Sequence, residues 1–207
     1  MPDLVVFLAG AGESASVWDA QRDLLGPVRS MAFGALDLAT PFVFDEAVAS
    51  LHRHVRETAA RSVTVVGLSI GAMIAARYAS LHPVASLVLS GGQVRPPRVT
   101  MAVQRLVLGA VPERHLGLPD GMSKKDLLDI LGVRVDLTPD LSRITAPTVV
   151  LCGSKDRPNL PAAHRFAGAI GGSHLQIVDG GGHQLATDSP AAFAEAVRQA
   201  MGHAGPR

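Results

Sequence analysis

The sequence predicts one α/β domain, in which helices cover both faces of a mostly parallel six-stranded sheet. Short apolar runs, each bounded by Gly, Pro or Asp, alternate with longer amphipathic runs along the chain. This alternation of strand and helix is typical of parallel sheets that are buried on both faces. Hydrophobic residues make up 47% of the 207 residues, so we expect a substantial core.

The predicted elements follow one another in a regular order. We predict buried strands over residues 4–9, 30–36, 62–68, 86–90, 147–152 and 174–178. Helices are predicted between most of them, over residues 16–25, 45–60, 70–80, 162–169 and 190–201. Each strand except the fourth is therefore followed closely by a helix.

Residues 93–140 interrupt this alternation. The stretch is too long for a simple connection from strand to helix, and it contains five prolines and two helix-like segments, residues 100–110 and 123–131. We interpret it as a short helical lid inserted into a core formed by residues 1–92 and 141–207. The apolar side chains of its first helix either line a substrate pocket or pack on the body, and the pattern fits both. These side chains are Met101, Val103, Leu106, Val107 and Leu108.

Charge and cysteine content exclude several kinds of partner and site. Basic and acidic residues nearly cancel to a net charge of +1, so we expect no nucleic-acid partner and no anionic membrane surface. The uncharged stretch at residues 62–76, which glycines and a serine interrupt, is shorter than the ~20 apolar residues that span a bilayer. Cys152 is the only cysteine, which rules out an intrachain disulfide and a thiolate zinc site. The first residues lack a basic leader, and we expect a cytoplasmic protein that binds a small molecule.

A serine flanked by glycines lies between a predicted strand and a predicted helix. Residues 67–71 read G-L-S-I-G, follow the β-branched run at residues 63–66 and precede the apolar start of a helix. Strand, tight turn and helix in this order are the setting of a nucleophile elbow. The glycines allow the sharp turn that places a serine hydroxyl at the sheet edge. Ser69 is therefore the candidate nucleophile.

Two later loops offer the groups that a serine nucleophile needs. A neutral imidazole must take the proton of the hydroxyl, and a carboxylate must fix the tautomer of that imidazole. Asp156 follows a predicted strand, and His183 follows another strand and a run of three glycines, so both are expected at the carboxyl edge of the sheet. Asp179 is an alternative acid, but it shares a loop with His183 and is the poorer candidate. The remaining histidines are expected to be solvated or structural.

The order Ser69, Asp156, His183 resembles the nucleophile, acid and base order of α/β-hydrolases. Residues 144–156 are similar to the family's acid strand, and residues 181–190 with the final helix are similar to its histidine segment. The resemblance covers nearly the whole chain. It implies a reduced α/β-hydrolase fold with a short lid, since the chain starts at what would be the family's third strand.

The resemblance also implies an oxyanion hole made of backbone N–H groups. Residues 8–12 occupy the place of the family's His-Gly loop, with Ala9 in place of the histidine. The implied donors are Ala11 and Ile70, and a shift of one residue within the first loop stays open. Trp18 is expected to have a packing role only.

The function implied by the resemblance is hydrolysis of an ester, thioester or similar acyl bond through an acyl-enzyme. A short lid favours a small, largely apolar substrate. No cofactor is implied, and the histidine spacing does not match a metal site. The same fold and triad also serve carbon–carbon bond cleavage, elimination and cyclisation, which the sequence leaves open. The oligomeric state is open as well, a homodimer included.

A dinucleotide site competes for the loop after the first strand. Residues 10–15 match the G-x-G-x-x-A fingerprint, and Asp37 ends the predicted second strand where a ribose-binding acid is expected. This interpretation leaves the order of serine, aspartate and histidine unexplained. A non-catalytic protein that kept the fold and lost the activity is a third alternative.

Overall fold

A computed structural model describes residues 3–203, and the predicted core ranges extend beyond these residues at both ends. The described chain contains a six-stranded sheet. Its strands are β1 (Leu4–Leu8), β2 (Ser30–Phe33), β3 (Val63–Leu68), β4 (Ser86–Ser90), β5 (Thr148–Gly153) and β6 (His174–Val178). They lie in the order β2-β1-β3-β4-β5-β6, and every neighbouring pair is parallel. The predicted α/β class and the six predicted strands are confirmed.

The central strands are buried, whereas the two edge strands are partly exposed. All residues of β1, β3, β4 and β5 are buried, but most residues of β2 and β6 are not. On β6, Ile177 remains 43% exposed. The prediction of buried strands is therefore wrong for both edges. An edge strand pairs on one side only, and the covering helices extend less fully over it.

Helices connect most of the consecutive strands. They are α1 (Asp19–Leu25), α2 (Ala35–Leu38), α3 (Phe44–Glu57), α4 (Ile70–Leu81), α5 (Arg98–Ala110), α6 (Lys124–Leu131), α7 (Thr138–Leu141), α8 (Leu160–Ala169), α9 (Leu185–Asp188) and α10 (Pro190–His203). Each predicted helix is present, and the first begins as a 3₁₀ turn at Ala15–Trp18. Among residues 3–203, no helix has the length and apolar character to cross a membrane.

The second strand is shorter than the predicted range, residues 30–36. It ends at Phe33, and the following residues form the short helix α2. The Gly34 N–H donates a hydrogen bond of 2.7 Å to the Asp37 carboxylate, which caps this turn. The predicted end of the strand at residue 36 is wrong because this cap favours a helical turn over continued strand pairing.

Alternate side chains of the central strands enter two separate cores. On one face, Val6 and Val65 pack beneath the side chains of α3 and α4. On the other face, Phe7 packs with Trp18 and Phe193, and the ring centroids of Trp18 lie 5.2 Å from those of both phenylalanines. Trp18 is fully buried, so its expected packing role is confirmed.

The segment between β4 and β5 carries α5, α6 and α7. At the start of α6, the Asp126 N–H donates to Ser123 Oγ at 3.2 Å, and the Ser123 N–H donates to Asp126 Oδ2 at 2.9 Å. This reciprocal capping box fixes where the helix begins. Leu127 and Ile130 of α6 are buried and anchor the segment to the body.

Helix α5 is attached differently, because none of its residues is buried. Val103, Leu106 and Val107 are 54%, 75% and 58% exposed. The expectation that the apolar residues of this helix either line a pocket or pack on the body is therefore wrong for these three. They follow a helical spacing, but their side of the helix faces away from the body.

Candidate active site

Loops after the strands meet at one edge of the sheet, since the carboxyl ends of parallel strands point the same way. A pocket of about 480 Å³ opens at this edge. Its lining includes every residue that the sequence predicts for the site: Ala11, Ser69, Ile70, Asp156 and His183. The volume lies within the roughly 300–1,000 Å³ that is common for small-molecule sites.

Ser69 lies in strained backbone between β3 and α4. Its φ of 56° and ψ of −117° are unusual for a residue with a side chain. The surrounding chain leaves no room for side chains. A Cβ atom on Gly67 would lie 2.4 Å from Gly71 O, and one on Gly71 would lie 2.2 Å from Leu8 O. The Ser69 N–H donates to Ser90 O at 2.8 Å, so this tight turn is also tied to β4.

Asp156 lies in the loop after β5, and its side chain is only 5% exposed. The Asp156 N–H donates to Gly153 O at 3.0 Å, which holds the turn. Nδ2 of Asn159 donates to both carboxylate oxygens, at 2.8 Å and 2.9 Å. The amide of Asn159 is in turn bonded by the side chain of Gln93. Asn159, which is itself held by Gln93, thus fixes the plane of the Asp156 carboxylate.

His183 is held against this carboxylate by the loop after β6. Its Nδ1 lies 2.8 Å from Asp156 Oδ2. The loops of the two residues touch, since a Cβ on Gly153 would lie 2.3 Å from Gly181 O. Gly91, after β4, supports the ring from another side. It has a φ of +60°, and a Cβ there would lie 2.9 Å from His183 Cε1.

This arrangement determines which ring nitrogen can act as a base. When Nδ1–H donates to Asp156, the other nitrogen of His183 is left unprotonated and can accept a proton. Nδ2 of Asn159 lies 3.1 Å from the same Nδ1, and its hydrogens are directed to the carboxylate instead. The hydrogen bond to Asp156 raises the pKa of His183 above its usual value, although partial burial opposes this shift.

Other nucleophiles and acids near the site are less suited to chemistry. Burial raises the pKa of the Cys152 thiol to about 11, so it stays protonated at neutral pH. Asp179 is exposed and accepts a hydrogen bond of 3.3 Å from Ser154 Oγ. Asp156, and not Asp179, is thus the carboxylate bonded to His183. His52 and His82 stack on each other with ring centroids 3.8 Å apart.

The loop after β1 carries a carboxylate that bonds to its own backbone. The Gly10 N–H donates to Glu13 Oε2 at 2.6 Å and is therefore not free to hold an oxyanion. Gly12 has a φ of +77°, and a Cβ built there would meet Leu127 at 3.4 Å. Ala11 is the residue of this loop that lines the pocket. Gly10, one of the three candidate donors in this loop, is therefore already bonded to a carboxylate of its own loop.

Residues 5–196 match the model of the alpha/beta hydrolase family. The chain belongs to the alpha/beta hydrolase family. No curated protein sequence matches it.

Solved structures of the same architecture resemble this alpha/beta hydrolase along nearly its whole length. A hydrolase from Pseudomonas aeruginosa has a TM-score of 0.82 and 18% identity, covering 96% of this chain and 89% of its own. A bromoperoxidase from Bacillus anthracis has a TM-score of 0.82 and 20% identity, covering 98% and 92%. An enol-lactonase from Burkholderia xenovorans has a TM-score of 0.80 and 17% identity, covering 98% and 92%. The predicted fold is therefore confirmed.

Sequence reasoning missed three polar side chains around the pocket of this alpha/beta hydrolase: Glu13, Gln93 and Asn159. Asn159 lies three residues after Asp156, within one turn, and Glu13 lies three residues after the amide that it accepts from. A polar side chain at this spacing commonly bonds to the loop that carries it. The spacing was thus a usable signal for Asn159 and Glu13, whereas Gln93 meets the site only through folding.

The dinucleotide alternative fits this geometry poorly. Binding of a pyrophosphate needs free N–H groups in the loop after β1, but the Gly10 N–H is bonded to the Glu13 carboxylate. Asp37, the expected ribose-binding acid, is bonded to Gly34 N–H in the turn after β2.

Within residues 3–203, no group of three or more His, Cys, Asp or Glu side chains is arranged to hold a metal ion.

Proposed function

We propose that this alpha/beta hydrolase cleaves an ester, thioester or similar acyl bond of a small, uncharged and largely apolar substrate. The observation that carries the proposal is one pocket shared by a strained serine and a histidine–carboxylate pair. Ser69 lies in the left-handed half of backbone space at a helix start, and His183 Nδ1 lies 2.8 Å from Asp156 Oδ2. Strain at such a turn is common where a nucleophile must be exposed.

The proposed reaction has two steps, acylation of Ser69 and hydrolysis of the acyl-enzyme, and His183 accepts and then donates a proton in each. His183 takes the proton of Ser69 as the hydroxyl oxygen attacks the carbonyl carbon, and the leaving group departs with a proton from the imidazolium. His183 then takes a proton from water as the water oxygen attacks the acyl-enzyme. It returns this proton to Ser69 Oγ as the bond to the acyl group breaks and the acid is released. Asp156 stays ionised, holds the imidazole in the required tautomer and stabilises the imidazolium.

Backbone N–H groups are the proposed stabilisers of the oxyanion in both steps. Ile70 follows the nucleophile at the start of α4, where N–H groups lack partners within the helix. Ala11 approaches from the loop after β1 and lines the same pocket. Donors from two loops in a partly enclosed site are worth far more than in water, since they need little reorganisation.

The lining of the pocket supports an uncharged substrate. Apolar lining side chains are Ala11, Ile70, Met73, Pro96, Pro97, Met101, Ile130, Leu131, Val133 and Pro158. Polar lining side chains apart from the triad are Gln93, Thr100, Gln104 and Asn159. None of the described lining residues is a lysine or an arginine, so a carboxylate or phosphate on the substrate would be buried without a cation. We also propose that residues 93–140 act as a lid, because α5 and α6 contribute to this lining.

A fluorophosphonate probe tests the nucleophile directly. We expect the natural protein to gain the mass of one probe adduct and Ser69→Ala to gain none. Ser80→Ala is the control, because this serine lies on the same helix and donates to Arg77 O. Labelling of Ser69→Ala to the same extent as the natural protein would overturn the assignment.

Turnover of p-nitrophenyl esters tests the reaction and the substrate class. We expect Ser69→Ala to lose on the order of 10⁶-fold in kcat with little change in thermal stability, since alanine keeps the Cβ and the backbone conformation and loses only the hydroxyl. Neutral acyl chains should be preferred over chains that end in a carboxylate. A protein that labels with the probe but cleaves only the charged esters would contradict the proposed substrate class and leave the nucleophile standing.

A further inference from the structure

The proposed mechanism leaves one partly buried carboxylate without a role, that of Glu13. Its Oε2 accepts a hydrogen bond of 2.6 Å from the Gly10 N–H, and its own N–H donates to Gly10 O at 3.3 Å. These two bonds close a turn around Ala11 and Gly12. The glycine loop, residues 9–13, is thereby held by hydrogen bonds between residues on either side of Ala11, which lines the pocket.

The carboxylate of Glu13 lies close to the nucleophile. A Cβ built on Gly10 would lie 2.5 Å from Glu13 Oε2 and 3.4 Å from the Cβ of Ser69. Gly10 thus lies between the carboxylate and the serine, and a side chain at this position would have to displace the Glu13 carboxylate. Movement of the Glu13 side chain would therefore alter the approach of the glycine loop to Ser69.

The charge of Glu13 is coupled to that of His183. Burial raises the pKa of Glu13, and the Gly10 N–H, the charge of His183 and the side chain of Gln184 oppose this rise. The pKa of His183 is raised first by its hydrogen bond to Asp156, and then by the charges of Asp156, Glu13 and Asp188. Three carboxylates therefore favour the charged form of the imidazole, and they come from the loops after β5 and β1 and from α9.

We propose that Glu13 is a positioning residue that clamps the glycine loop through the Gly10 N–H and, from its place beside Ser69, stabilises the charged form of His183. This role rests on the proposed function, in which His183 becomes an imidazolium and Ala11 holds the oxyanion. The two effects can be tested separately, because Glu13→Gln keeps the acceptor oxygen for the Gly10 N–H and removes the negative charge. Glu13→Ala removes both.

A matched control exists in the loop after β2. Asp37 accepts a 2.7 Å hydrogen bond from the N–H of Gly34, three residues earlier, as Glu13 does from Gly10. Asp37 does not contribute to the pKa of His183. Asp37→Asn therefore makes the same chemical change in the same local motif, away from the imidazole.

The first experiment compares Glu13→Gln with Asp37→Asn by the pH dependence of kcat/KM and by NMR titration of the His183 ring. Removing a negative charge near an imidazolium lowers its pKa, so the acidic limb of kcat/KM should move to lower pH in Glu13→Gln. The NMR titration should move in the same direction, and Asp37→Asn should change neither. An NMR titration of His183 that is unmoved in Glu13→Gln would overturn the electrostatic part of the proposal.

The second experiment adds Glu13→Ala to test the clamp. A loosened donor loop should lower kcat by up to roughly 100-fold, while Glu13→Gln should retain most of kcat because it keeps the acceptor. Equal kcat in Glu13→Ala and Glu13→Gln would overturn the clamp. The NMR titration does not depend on turnover, and probe labelling of Ser69 reports the proposed function separately. An incorrect role for Glu13 can thus be distinguished from an incorrect assignment of the triad.

Discussion

The two sides of the pocket are built in different ways. The floor, formed by the loops that carry Ser69, Asp156 and His183, is held by backbone contacts so close that a Cβ on Gly71 would lie 2.2 Å from a neighbouring oxygen. The roof, formed by α5, has no buried residue and leaves Leu106 75% exposed. Groups that must be positioned for chemistry lie where the backbone cannot shift, whereas the roof can change with little effect on the core.

This difference predicts how substitutions divide between rate and binding. Changes in the floor should lower kcat, because they displace groups that act on the transition state. Changes in the roof should alter KM, because they remove contacts made equally to substrate and transition state. The comparison fails if both sides respond alike.

Substitution of the floor carboxylate should have the largest of these effects. Asp156→Asn keeps the shape of the side chain but presents an amide to Nδ1 of His183, which favours the wrong tautomer of the ring. We expect a loss of about 10⁴-fold in kcat, as in other triads. Kinetics with a p-nitrophenyl ester measure the loss.

Asp179→Asn is the control for this substitution. Asp179 is exposed and accepts a 3.3 Å hydrogen bond from Ser154. We expect kcat within a few fold of the natural protein. A larger loss in Asp179→Asn than in Asp156→Asn would show that the acid had been assigned to the wrong loop.

The next largest effect should come from a pair of glycines, one in the floor and one near the roof. Gly91 and Gly117 have nearly equal φ values, +60° and +61°, but a Cβ on Gly91 would lie 2.9 Å from His183 Cε1, whereas a Cβ on Gly117 meets nothing within 4 Å. Both alanine variants should lose about 1–2 kcal/mol of stability from the left-handed backbone. Only Gly91→Ala should displace the imidazole, with a loss of up to roughly 100-fold in kcat.

Thermal melts and kinetics on both glycine variants separate strain from displacement. Similar melting temperatures with a large difference in kcat would support the role of Gly91 in holding His183. Equal kcat values would mean that the ring adapts to the added methyl group, and the floor would then be less rigid than its contacts indicate.

Sequence pattern predicts much of this fold because the central strands have a clear apolar signal. Ser69 could be placed at the pocket because its glycines, strand and helix are local, and Asp156 and His183 could be placed there because each follows a strand. The end of β2 was mispredicted, since an apolar run of a few residues fits a strand and a helical turn equally. The cap from Gly34 to Asp37 decides between them.

The polar shell of the site could not be predicted in the same way. Glu13 comes close to Ser69 because the strand order places β1, which leads into the glycine loop, next to β3, which leads into Ser69. Gln93 and Asn159 meet for a similar reason, at the junction of the inserted segment with the loop after β5. Contacts between loops depend on strand order, which no local pattern of residues contains.

The smallest effect should come from the roof, where two apolar residues of α5 differ in what they contact. Met101 lines the pocket, whereas Leu106 is 75% exposed. Shortening Met101 to alanine removes apolar contact worth about 1 kcal/mol, or roughly 5-fold in KM for a long acyl ester, and should leave kcat nearly unchanged. Leu106→Ala should change neither constant. If Met101→Ala instead lowered kcat and left KM unchanged, the roof would act on the transition state, and the division between floor and roof would not hold.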